Sequence, residues 1–218
     1  PVLETADITY GNLEGPVAEG VSLIGRPVAR VARRWDGNVY GAPRGALNFN
    51  YHPSLVDDLV ASGFDIVSTA NNHAADRGPL GIDRTVQALT ARGLAFSGTR
   101  SRSDLAQGKW AVKTEAKGFT IAWIACSYST NGMPDRHGQV LNCYSARDRI
   151  LEEMYGDEPP AGVPKQVLVP TLSDDLDTYE EWLTHLRGSK VQIRVPQRGE
   201  KRELHETVTR NAREEFVR

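Results

Sequence analysis

Apolar and polar positions fall into blocks whose period changes along the chain. Residues 6–10 (ADITY) alternate with period two and predict a strand running into the turn GNLEGP. Residues 16–52 show little period, are rich in Gly, Pro, Arg and Asn, and predict a long irregular excursion. Excursions of that length inside a domain usually carry function or move. A helical stripe follows, with Leu55, Val56, Leu59 and Val60 on one face of PSLVDDLVASG, Pro53 in a first-turn position and Gly63 as the stop. Phe64–Thr69 (FDIVST) is an unbroken apolar run, the pattern of a strand covered on both faces, and it leads into the polar loop ANNHAADRG. Residues 79–92 predict the next helix, ended by Gly93, and residues 94–97 a short strand. Residues 110–115 and 119–127 predict a β pair across Lys117-Gly118. Strands alternating with helices argue for an α/β fold.

The pattern changes after Cys143. A charged helix is predicted over 145–155, then the breaker stretch GDEPPAGVP, a strand over 166–169, a helix over 176–186, a second strand in KVQIRVP and a last helix from 199 to the end. The expected division is therefore 1–144 and 145–218.

Composition narrows the function classes. The 218 residues are 39% hydrophobic and 25% charged, a globular balance that argues against disorder or a fibrous repeat. The formal charge is −2, and residues 145–218 carry 12 basic against 15 acidic side chains, so net charge gives no support for electrostatically driven nucleic-acid binding. No apolar run is long enough to cross a bilayer, and PVLETADITY is not a signal peptide. The chain opens without Met just ahead of a strand and reads as the inside of something longer, so an export signal could have preceded it. Cys126 and Cys143 could pair, but nothing in their spacing requires it. Neither has a Cys or His at zinc-site spacing, and two buried or idle thiols are the plainer expectation.

The candidate chemistry sits after the first two strands, where open α/β sheets build their sites. Gly11-Asn12-Leu13-Glu14 follows the first, and Ala70-Asn71-Asn72-His73 with Asp76 and Gly78 follows the second. Two readings stand side by side. Asn and Asp after strands often make turns by bonding their own backbone. Alternatively, Asn and Glu oxygens are hard metal ligands and a His can ligate or supply a proton, so the group could hold a divalent metal that polarises a phosphoryl or carbonyl oxygen.

ADITYGNLEGP, the stretch from LVDDLVASGFDIVSTANNHAADRG to GLAFSGT, and KGFTIAWIACSYSTNG together resemble the CapA family of capsule, or poly-γ-glutamate, synthesis proteins over residues 6–144. That resemblance implies a calcineurin-like metallophosphatase fold, here a partial four-layer α/β sandwich followed by a small α/β segment. It implies Asn12, Glu14 and Asn72 as metal ligands, His73 as the catalytic acid or phosphate-contacting residue, and Asp76 as a loop-fixing residue. A Mn-, Mg- or Zn-type divalent metal and an anionic polymer or phosphoester substrate follow from it. The family's opening Gly-Asp motif and its later His-Trp-Gly and His-x-His motifs have no match here, and His137 stands outside any such motif. The region is therefore expected to be truncated at both ends, to hold metal weakly and to be inactive. Unpaired sheet edges would favour oligomerisation.

ILEEMYGDEPPAGVPKQVLVPTL and TYEEWLTHLRGSKVQIRVPQRGEKRELHETVTRNAREE resemble UvrC, the incision subunit of bacterial nucleotide excision repair, from about Arg149 onward. Its nuclease residues are not in this stretch. DNA or excision-repair proteins are the partners it implies, with Arg194, Arg198, Lys201 and Arg202 as a basic cluster able to touch phosphates. The interleaved Glu200, Glu203 and Glu206 make a solvated, salt-bridged helix face the plainer reading, and His185 and His205 read as surface residues. Two unrelated resemblances in one chain point to a chimera. Localisation follows the cell envelope by the first and the cytoplasm by the second.

Overall fold

The computed structural model describes residues 2–41, 46–106, 109–143, 145, 150, 153–156, 162–169, 176–199, 201–203 and 206–207. The fold is mixed α/β, and the chain divides into two compact units, Pro1–Met154 and Tyr155–Arg218.

The first unit is organised around a three-stranded parallel sheet in the order β1-β2-β3, with β1 Tyr10–Asn12, β2 Ile66–Ser68 and β3 Ala95–Ser97. Tyr10 registers with Ile66, and Ile66 with Ala95. β1 lies further along than the alternation in ADITY predicts. Residues Val2–Thr5 form a 3-10 turn, and the Thr9 N–H donates to Asp65 Oδ2 at 2.6 Å instead of to a strand neighbour. β2 is buried at every position, as its apolar run requires.

Helices α1 (Ser54–Ala61) and α2 (Gly78–Ala91) supply the rest of the core. Val56 of α1 and Ala88 and Leu89 of α2 pack with Leu13, Val17, Val67 and Leu94. A second cluster joins Ile82 and Val86 of α2 to Ala70, Ala74 and Val140. The described residues of the 16–52 excursion form no helix or strand, and an isolated bridge joins Val21 to Pro27. Buried side chains answer several of its backbone groups. Buried Asn50 accepts from Ala18 N at 2.8 Å and donates to the carbonyls of Ala18 and Val39, each at 2.7 Å. Arg77, fully buried, donates to Gly41 O at 2.6 Å, and burial lowers its pKa to about 10.

β4 (Val112–Ala116) and β5 (Phe119–Trp123) form an antiparallel hairpin. Its turn residues Lys117 and Gly118 have φ of 48° and 79°, the paired positive values that a two-residue hairpin turn needs. Cys126 and Cys143 form a disulfide. This corrects the expectation of idle thiols: the isolated Ser127–Asn142 bridge brings the two ends of the 127–142 loop together, so the cysteines beside them meet. Gly98, at φ +111°, lies where a Cβ would come 2.4 Å from Ala70 Cβ, so this close backbone approach requires glycine.

In the second unit β6 (Gln166–Leu168) and β7 (Gln192–Arg194) pair in parallel, with α3 (Leu176–Arg187) between them in sequence. Leu183 and Val191 are buried, and the Ile193 N–H donates to Glu180 Oε1 at 2.6 Å. The helix predicted over 145–155, the breaker stretch and the last helix fall largely outside the described residues. Among the described residues no helix is long and apolar enough to cross a membrane.

Candidate active site

Two turns meet at the carboxyl ends of β1 and β2. The Leu13 N–H donates to Ser68 O at 2.9 Å, which carries the pairing one step past Asn12 and sets Glu14 beside the turn after β2. Asn71 clamps the turns together. Its Nδ2 donates to Leu13 O at 2.9 Å and to Asn12 Oδ1 at 3.1 Å, while its Oδ1 accepts from His73 N at 3.1 Å. The last bond is a side-chain-to-backbone turn of the kind Asn favours. The turn reading of this loop therefore holds for Asn71, and the turn it makes presents His73.

His73 is held from three sides. Its Nδ1 lies 2.9 Å from Asp76 Oδ2, an oxygen that also accepts from Phe49 N at 2.5 Å. A carboxylate oxygen only accepts, so Nδ1 carries a proton, and in the neutral form of the ring Nε2 is the lone-pair acceptor. Nε2 faces Glu14 Oε1 at 3.9 Å and Asn131 Nδ2 at 3.4 Å. The Phe49 ring packs on the imidazole with centroids 4.4 Å apart and stacks in turn on Tyr51. The side chains of His73 and Asp76 are 6% and 3% exposed, whereas Glu14 is 42% exposed and forms the open side. Burial, and then the charges of Glu14 and Asp76, raise the Tyr51 phenol above its ordinary value, so this aromatic wall stays uncharged.

Asn12, Glu14 and His73 are thus gathered at one sheet edge, with Asn12 Nδ2 donating to Glu14 Oε2 at 3.3 Å. Asn72 is tied in through Asn131, whose Oδ1 accepts from Asn72 Nδ2 at 3.3 Å. The donor set does not fit a binuclear metal centre. Among the described residues no group of three His, Cys, Asp or Glu is placed to hold an ion. Asp76 is spent on His73 and Phe49, which leaves Glu14 as the only carboxylate facing the ring among the contacts described.

The sequence reading placed Asn71 in the candidate loop without singling it out, and missed Phe49, Tyr51 and Asn131. Asp76, read as fixing the loop, does so through Phe49 and also orients His73. The spacing His-x-x-Asp was the available signal for that second role. In the second unit, exposed Arg194 is on β7 and Arg198 follows it. Lys201 donates to the uncharged Gln166, and Arg202 is neutralised locally by Glu206 at 2.6 Å.

A family model described as bacterial capsule synthesis protein PGA_cap matches residues 1–206. The chain belongs to this capsule synthesis family. The match runs beyond residue 144 and takes in most of the second unit. The chain is also similar to curated proteins named UvrABC system protein C. That of Streptomyces avermitilis is 51% identical over 70 residues, 32% of this chain and 10% of that protein. That of Rhodococcus erythropolis is 37% identical over 134 residues, 61% of this chain and 17% of that protein. That of Mycobacterium sp. (strain KMS) is 60% identical over 84 residues, 31% of this chain and 12% of that protein. The chain thus spans between 10% and 17% of the length of these relatives.

Proposed function

We propose that the chain supplies a capsule or poly-γ-glutamate synthesis domain of CapA type, in which His73 is the proton-handling residue and the metal-dependent phosphoesterase site is incomplete. The observation that carries this is the buried Asp76–His73 pair presenting Nε2 to Glu14 at the carboxyl edge of a parallel sheet. Asp76 holds the ring and its tautomer, and Nε2 is the atom at which a proton of an anionic polymer or phosphoester substrate would be taken up and returned. The partial four-layer sandwich belongs to the same reading.

A divalent cation of Mn, Mg or Zn type would supply charge neutralisation for such a substrate. Asn12, Glu14 and Asn72 are the residues proposed to hold it, weakly and as a single ion. Two clamped metals are what phosphoester displacement by this type of fold calls for, and one carboxylate with two neutral carboxamides does not balance them. The experiment is a manganese titration by calorimetry beside hydrolysis of an aryl phosphate in excess manganese, on the full chain, Glu14→Gln and His73→Ala. One weak site that Glu14→Gln removes, with background hydrolysis in all three, is the expected result. Clear turnover in the parent that His73→Ala abolishes would sink the incomplete-site reading.

The UvrABC system protein C relatives favour a second reading, in which the second unit is a fragment of an excision-repair subunit and contributes DNA or repair-protein contacts through Arg194, Arg198, Lys201 and Arg202; a chimera with no native activity would bind neither metal nor DNA. The second reading predicts duplex-DNA binding that weakens steeply with salt and is lost in a quadruple Ala variant of those four residues. Binding that is absent at low salt rules out the DNA contact. Envelope location goes with the first reading and cytoplasmic location with the second.

A further inference from the structure

The 127–142 loop is tied down at its base and reaches the site at its tip. The Cys126–Cys143 disulfide closes it over a sequence separation of 17. Ser127 N donates to Leu141 O at 2.8 Å, Cys143 N to Ser127 O at 3.0 Å, and Asn142 Nδ2 to Tyr128 O at 3.0 Å. The returning limb is anchored by Gln139, fully buried, whose Nε2 donates to Asp83 Oδ1 at 2.9 Å and to Arg100 O at 3.1 Å. Asp135 caps the same limb by accepting from Gln139 N at 2.9 Å and Val140 N at 2.8 Å.

Asn131 stands at the far end, 58 residues from His73 in sequence, and its carboxamide lies between the two residues of the Asn-His motif. The donors and acceptors agree along the whole line. With the ring in its neutral Nδ1–H tautomer, Asn72 Nδ2 donates to Asn131 Oδ1, Asn131 Nδ2 donates to the lone pair of His73 Nε2, and His73 Nδ1 donates to Asp76 Oδ2. Reversing the Asn131 carboxamide alone would set its N–H2 against that of Asn72 and its oxygen against a lone pair.

We propose that Asn131 is a positioning residue of this site: its carboxamide ties Asn72 to His73 and so fixes the faces that both present beside Glu14, with the disulfide-closed loop holding it in place. The proposal rests on the reading of His73 as the functional side chain. A plainer account of Asn131 competes with it. The residue has φ of 51°, a left-handed conformation that Asn tolerates better than most side chains, so it could be there for its backbone alone.

Substitution by glycine separates the two accounts, because Asn131→Gly keeps the positive φ and removes only the carboxamide. The readout is the side-chain NMR spectrum of the full chain, isotope-labelled, at one pH and without ligand. Positioning predicts that the Asn72 carboxamide N–H2 signals and the His73 Cδ2–H and Cε1–H signals all move, while the Gln139 and Val140 amides stay. If all of these signals stay at their parent positions, Asn131 is only a turn residue and the proposal fails. Asn131→Asp supplies a second reading if the glycine loosens the loop. It keeps an oxygen for Asn72 and loses the N–H for His73, so Asn72 should return towards its parent position and His73 should stay displaced. Return of both, or displacement of Asn72 alone, overturns the assignment. Replacing both cysteines by serine should move the same Asn72 and His73 signals as Asn131→Gly, and parent-like signals there would overturn the role given to the disulfide. All these signals are read without substrate, so a failure of the functional reading would appear separately, as clear aryl-phosphate turnover in the parent that His73→Ala leaves unchanged.

Discussion

Removing the Cys126–Cys143 disulfide is the sharpest test of how the first unit is held together. Both cysteines are half-buried, so Cys126→Ser with Cys143→Ser removes little apolar packing, and the effect should come from the freed chain. Closing a loop of 17 residues restricts the unfolded ensemble by about 3 kcal/mol on the chain-entropy estimate. That is about two decades in an opening equilibrium. Hydrogen exchange resolves where the loss appears. The amides of β2, buried at every position, should open only when the unit unfolds, and they should exchange roughly a hundredfold faster in the double variant. Leu141 and Cys143, which donate to Gly98 and Ser127, should accelerate at least as much. Exchange that quickens at Leu141 and Cys143 while β2 keeps its parent protection would refute the reasoning. The disulfide would then brace one loop and leave the unfolded chain's freedom unchanged.

Asn50→Ala should cost about 2–4 kcal/mol in the first unit, because it strands the Ala18 N–H and two buried carbonyls, and urea denaturation followed by a probe in that unit reads it. Gly98→Ala should cost about 2–5 kcal/mol through the left-handed φ and the collision with Ala70, seen as a lowered melting midpoint. Tyr40→Phe should be neutral or stabilising by about 1 kcal/mol, because the Tyr40 hydroxyl is buried with no hydrogen-bond partner among the described residues. Burial, with help from Glu19 and Asp36, raises the Tyr40 pKa from 10.0 to about 12. Between those values the unfolded phenol ionises and the folded one does not, so stability should fall as pH rises through that window, and Tyr40→Phe should flatten the fall.

Much of the first unit could be read from punctuation and period. Pro53 and Gly63 bracket α1, Gly93 follows α2, and Lys117-Gly118 marks the hairpin, because each acts through local backbone geometry. The alternation in ADITY misled because the Thr9 N–H is taken by the Asp65 side chain, while its carbonyl still accepts from the Asp65 and Ile66 N–H groups, and that diversion is set by tertiary contact. Arg77 and Gln139 were invisible as core residues, since their burial depends on backbone carbonyls and a carboxylate that only the fold brings near. At the site, the Asn-His motif stood out through its resemblance, whereas Asn131 lies in the short string STNG with no local pattern of its own. Its role exists only through a contact across 58 residues.

The order of pairing in the parallel sheet bears on how the unit folds. Tyr10 and Ile66 are 56 residues apart, whereas Ile66 and Ala95 are 29 apart with α2 between them. Closing the longer loop costs only about 0.6 kcal/mol more. The larger difference is that the described residues of the 16–52 excursion order with no helix or strand among them, while β2–α2–β3 is a compact unit with mainly short-range contacts. β1 is therefore expected to dock last. Pulse-labelled exchange should show β3 protected before the Leu13 amide that donates to Ser68, and the reverse order would contradict this. A chain caught before that step would already have His73 bonded to Asp76 but would lack Asn12 and Glu14, so the site's open side would be completed in the final stage of folding.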